Sequence, residues 1–167
     1  MIANVKAEHV DGVMVFRDKS GDEIFRLDGN LRLFYETVNP SVRQLRTRVT
    51  AAQVNAGLTL LAAVAGYQYR LIDCTLIAIG GNAGTATSVD INATQSSAVV
   101  LIAAAVAALT RSTVVKPNTA NVTVLADGAS FVANDANTAV TIGKTGGSLA
   151  TATHIDVILT YALEKAA

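Results

Sequence analysis

The run from Tyr69 to Gly81 constrains the fold more than any other stretch. It is long, β-prone and mostly apolar, and it stops at Gly80-Gly-Asn82. A strand covered on both faces reads as a near-continuous apolar run, whereas a half-exposed one alternates strictly. The run is therefore read as a central strand of a β-sandwich covered on both faces. His154 to Leu163 has the same character and is the expected partner strand.

Around this core the chain carries many turn signals. Thr50 is placed to cap a short helix over Ala51 to Ala56, which Gly57 would close. Leu58 to Val64 is apolar and fits either strand or helix, and Gly66 turns the chain into the central run. Gly80 to Gly84 reads as a loop, and Ser88 to Asn92 as a short alternating strand. Ser97 to Leu109 carries two signals. Its alanines favour a helix capped by Ser96 or Ser97, and its Val-Val-Leu-Ile opening favours a strand. We expect an extended start over Ala98 to Ile102 and a helical turn or two to Leu109. Asn121 to Leu125, Ser130 to Val132 and Thr138 to Ile142 read as strands, Asp127-Gly128 as a turn, and Gly143 to Ser148 as a glycine-rich loop. Short strands at such spacing indicate a mainly β fold, a jelly-roll-like sandwich with one or two short helices.

Charge divides the sequence. Of 26 charged residues, 15 precede Val49 and only 8 lie between Val49 and Thr153. Before Pro40, Val13 to Phe16 and Glu23 to Leu27 flank the turn-rich Arg17 to Asp22, a hairpin signal. Asp28-Gly-Asn30 then turns the chain into Leu31 to Tyr35, and Asn39-Pro40 marks a boundary. The expected organisation is a small meander over residues 1–40, too small to own much core, and a sandwich over residues 41–167.

The totals narrow the function. Charged residues are 16% of the 167, against roughly 25% in an ordinary domain. Hydrophobic residues are 51%, with no Trp. So little charge leaves apolar surface to bury, and we expect self-association. Thirteen basic and thirteen acidic residues give no global field for nucleic acid. The single Cys74 excludes an intrachain disulfide and a cysteine-built zinc site. The N-terminus lacks the apolar core of a signal peptide, and the longest apolar run, Ala98 to Leu109, is about half a membrane span. A soluble, non-exported protein with no membrane partner is the expectation.

Gly143-Lys-Thr145 has the ending of a phosphate-binding P-loop, but Thr138 stands where its first glycine belongs and no helix is expected after it. His154 and Asp156 share one face of a strand and lack a third metal ligand nearby, His9 being remote. Cys74 could meet His154 if their strands are neighbours, yet its apolar setting favours a structural thiol. Asp22, Glu23, Asp73, Asp90, Asp127 and Asp135 form no glycosidase-like pair, and Asp73 is free to pair with Arg70 or a neighbouring strand. Asn92-Ala-Thr94 and Asn121-Val-Thr123 match glycosylation sequons that carry little meaning without an export signal. No cofactor and no small-molecule substrate are expected. The one local charge feature is basic: Thr37 to Ile72 holds four arginines and no acid. Arg43, Arg46 and Arg48 lie either on a solvated strand face or on a patch that docks onto an acidic protein surface, and nucleic acid comes third because aromatic stacking partners are scarce.

Thr50-Ala-Ala-Gln-Val-Asn-Ala-Gly57, the run Tyr69 to Gly84, Ser88-Val-Asp-Ile91 and the ending Thr141 to Tyr161 together resemble small virion proteins of tailed bacteriophages, described as head decoration, head-fibre or minor structural proteins. Val15 to Ile24 is similar to short hairpins of phage fibres. The resemblance covers most of the chain and consists of structural patterns rather than an active-site signature. It implies a non-enzymatic protein, made in the host cytoplasm, that decorates the capsid exterior as a homotrimer on the major capsid protein. Residues 1–40 would then anchor and residues 41–167 trimerise. A tail-fibre or receptor-binding tip that recognises the host surface is the alternative, and an enzyme the distant third.

Overall fold

A computed structural model describes residues 6–10, 13–17, 20–21, 23–27, 33–35, 41–117 and 119–166. The chain divides into two compact units, Met1–Ser41 and Val42–Ala167.

The first unit is an antiparallel meander of four strands in sequence order: β1 (Lys6–Val10), β2 (Val13–Arg17), β3 (Glu23–Leu27) and β4 (Leu33–Tyr35). Three strands were expected. The addition is β1, whose Lys6-Ala-Glu-His-Val10 is too polar to signal a strand; it pairs Glu8 with Val15 and Lys6 with Arg17. A side-chain ion pair between Arg17 and Glu8 spans the two strands. The expected turn at Asp28 to Asn30 and the boundary at Asn39-Pro40 lie outside the described residues.

The second unit holds two antiparallel sheets around one core. Its elements are β5 (Ser41–Thr50), α1 (Ala51–Ala56), β6 (Leu58–Leu61), β7 (Tyr67–Ile79), β8 (Ala86–Thr94), β9 (Ala98–Ala105), β10 (Val114–Val115), β11 (Val122–Val124), a 3-10 helix over Ala126–Phe131, β12 (Val140–Gly146) and β13 (His154–Lys165). One sheet has the order β10-β7-β13-β5 and the other β11-β9-β8-β12-β6. Leu76, Ile155, Val157 and Leu159 of the first sheet and Val89, Ile91, Leu101 and Ile142 of the second lie in one buried cluster. This is the expected mainly β, sandwich-like fold, and the two long apolar runs pair directly, Val157 with Leu76 and Leu159 with Cys74.

Helix α1 forms as its sequence specifies. Thr50 Oγ1 accepts from the Gln53 amide at 3.1 Å, and the Gln53 side chain accepts from the Thr50 amide at 2.9 Å, a reciprocal cap. Asn55 then ties the helix to the far end of the chain, donating to the Leu149 carbonyl at 3.1 Å and accepting from its amide at 2.8 Å.

Four local readings are corrected. Residues 98–109 hold no helix: β9 continues to Ala105 and ends in a turn. With β8 on one side and β11 on the other, ladder hydrogen bonds outweigh the helix preference of its alanines. Gly143 to Gly146 is not loop but the second half of β12, paired along β8. Gly143 suits a tight position, since a Cβ there would lie 3.3 Å from Asn92 Nδ2. Ser130 and Phe131 are in the 3-10 helix rather than a strand, because Ser130 Oγ donates to the Leu101 carbonyl and accepts from the Leu125 amide. Finally, β7 is fully covered within its unit on one face only, although Thr75 on the other face is also buried. Cys74, Leu76 and Ala78 enter the core, while Ile72 remains 42% exposed on the outside.

Candidate functional site

The basic strand β5 is the edge of the four-stranded sheet, beside β13. Successive side chains of a strand point to opposite faces. Leu45 and Val49 pack into the core, so Arg46 and Arg48 stand on the outer face and Arg43 has the inward parity of Leu45. The expected patch of Arg43, Arg46 and Arg48 is thus divided. Arg43 acts instead near Tyr69, whose hydroxyl donates to the Ala62 carbonyl at 2.7 Å. Burial raises the Tyr69 pKa and the charge of Arg43 partly offsets that rise.

Arg48 meets Asp156 in a two-pronged contact. Its Nε donates to Oδ1 at 2.6 Å and its second nitrogen to Oδ2 at 2.8 Å, the planar fork geometry that suits guanidinium and carboxylate. These hydrogen bonds hold the Asp156 carboxyl below its ordinary range and raise Arg48 above its own. Arg46 has no ion-pair partner among the described residues. Together Arg46, Thr47, Arg48, Ile77, Asp156 and Ile158 line a shallow outer depression of about 300 Å³ with both charged and apolar walls. A guanidinium already engaged by a carboxylate is a weaker anion trap than a free one. The arrangement suits protein–protein contact better than phosphate binding.

Asp156 therefore serves Arg48, not a metal, and His154 Nδ1 lies 3.0 Å from Thr153 Oγ1. Among the described residues, no three His, Cys, Asp or Glu converge as metal ligands. Cys74 stands opposite Leu159 and His154 opposite Ile79. Five strand positions separate them, roughly 17 Å. Desolvation, helped by the adjacent Asp73, pushes the buried thiol up to about 12, the protonated and inert form. Gly143, Lys144 and Thr145 lie in a strand, so no phosphate cradle precedes a helix there. No helix among the described residues is long and apolar enough to cross a membrane.

Asp73 does not pair with Arg70. Its carboxylate accepts from the Cys74 amide at 2.8 Å and lies 3.6 Å from Lys116 Nζ. Arg70 instead forks onto Glu164 at 2.6 and 3.0 Å. Neither ion pair was legible in the sequence, since their partners stand 94 and 108 positions apart. On the other sheet, Asp90 is 2% exposed; Thr145 donates to its Oδ2 at 2.7 Å and its Oδ1 has no partner.

The two forked pairs predict an acid limb in stability. Hydrogen bonds from their arginines are the main cause that depresses Asp156 and Glu164 below their ordinary values of 3.8 and 4.5. Depressed carboxylates stabilise the fold above their unfolded pKa, and that share is lost as pH falls through the folded value. The urea midpoint is expected to hold from neutral pH down to the ordinary carboxylate range and to fall below it. Glu164→Gln should lower the unfolding free energy at neutral pH by at most about 1 kcal/mol, because solvent screens the 42%-exposed Arg70. It should also flatten the acid limb; an unchanged acid slope in the variant would reject the assignment.

The chain matches no protein-family model, no curated protein and no solved structure.

Proposed function

We propose that the chain is a non-enzymatic virion structural protein that binds the outside of an assembled tailed-phage capsid and reinforces or adorns it. The observation that carries this reading is the division of the chain. A charge-rich four-stranded meander precedes a separate sandwich unit that is poor in charge. A sandwich with few charges suits self-association, in the trimeric form that the sequence resemblance implies, and the meander suits anchoring to the major capsid protein. The reading adds no cofactor, nucleic acid, membrane or small-molecule substrate.

The test is co-sedimentation with purified capsids of the phage that carries the gene. The full chain is expected in the capsid pellet, and a chain lacking residues 1–40 in the supernatant with its oligomeric mass intact. Pelleting of the shortened chain would reverse the division of labour. A full chain that ignores capsids and binds host cells would replace decoration by receptor recognition.

A further inference from the structure

The outer face of the four-stranded sheet has the composition of a covered surface. Along β7, Ile77 and Ile79 are half-buried and Ile72 is 42% exposed. Ile158 of β13 lies on the same face, opposite Thr75, and Val114 of β10, opposite Ile77, is 51% exposed. The apolar run that signals two covered faces is therefore fully covered on one side only within its own unit, the other side burying Thr75 but leaving Ile72 open.

We propose that a second copy of this chain docks on this face, like faces meeting across a two-fold axis, so that the association is pairwise where the resemblance implies a trimer. The inference deepens the self-association assumed in the proposed function. Charge favours a copy over a charged partner. The acids on this face are already matched, Asp156 by Arg48, Glu164 by Arg70 and Asp73 by Lys116. The remaining cation, Arg46, sits on the edge strand, where an interface rim stays wet. Like faces thus meet without a net field to repel them, and an acidic or nucleic-acid partner finds little to attract it. The area is sufficient. The β7–β13 ladder and its neighbour β5 span about 40 Å by 14 Å, so a pair buries roughly 1,100 Å², just above the ~1,000 Å² a specific contact needs.

Light scattering on the full chain tests this. The wild type should exceed the single-chain 17.3 kDa. Ile72→Glu and Val114→Glu should each reduce the mass to one chain, while Thr123→Glu, exposed on the outer face of the other sheet, should leave it unchanged. A second measurement avoids a charged substitution. In Val114→Cys the new thiol is accessible while Cys74 is buried, so maleimide labelling should slow about tenfold between about 1 and 100 µM protein if association covers it. A single-chain wild type, an unchanged mass in both glutamate variants, or a labelling rate independent of concentration would each overturn the interface. None of these readouts involves a capsid, so the interface can fail while capsid binding stands, and the reverse.

Discussion

Replacing Leu159 by alanine is expected to lower the unfolding free energy of the sandwich unit by about 3–4 kcal/mol, the range for a fully buried leucine whose surroundings cannot collapse. Leu159 has no exposed surface. It sits near the middle of β13, an inner strand held by β7 on one side and β5 on the other, and it faces the second sheet. Ladders on both sides keep the backbone from moving inward to fill the space. Ile158, one position earlier, points to the outer face, and Ile158→Ala in dilute protein should cost under about 1 kcal/mol. Urea denaturation of both variants measures the contrast. Equal losses at the two positions would mean that the strand does not separate a core face from an outer one.

Gly84→Ala should cost about 2–4 kcal/mol, for two reasons that add. The backbone there has φ +106°, a conformation that side chains disfavour, and an added Cβ would lie 2.8 Å from the Ala150 amide nitrogen. Backbone cannot rotate away as a flexible side chain can. The loop from Gly80 to Gly84 and the segment from Leu149 to Thr153 close one end of the sandwich. A Cβ at Gly81 would lie 2.6 Å from the Thr151 carbonyl oxygen, and Ala83, Leu149 and Ala152 of the two segments are buried. Gly128→Ala is the control. It shares the positive φ, at +75°, but nothing lies within 4 Å, so it should lose only about 1–2 kcal/mol. If thermal melting shows the same loss at both sites, the close approach of the two segments carries no energetic weight.

The meander, the capped helix and the two longest strands were legible because their signals are local. Turn residues bracket them, Thr50 and Gln53 stand three apart, and apolar runs of that length have few other uses. The misread stretches are those where local preference lost to pairing. Alanines favour helix in isolation, yet residues 98–105 lie between two strands and extend. Glycines favour loops, yet Gly143 lies where a neighbouring amide leaves little room for a side chain.

The candidate site was only half legible. Sequence located the basic stretch, but three arginines in one strand became two on a face because alternation separates Arg43 from Arg46 and Arg48. It also could not assign Asp156 to Arg48, since nothing local encodes a contact across 108 positions.

By itself, then, the sequence determined a charge-poor β core behind a charge-rich meander, with the Tyr69 and His154 runs at its centre, because composition and hydrophobic pattern are properties of neighbouring residues. The tertiary structure decided strand order, the partner of each charge, and which face of β7 stays outside. Those depend on register and on which sheet covers which, and both are set by contacts between residues far apart in the chain.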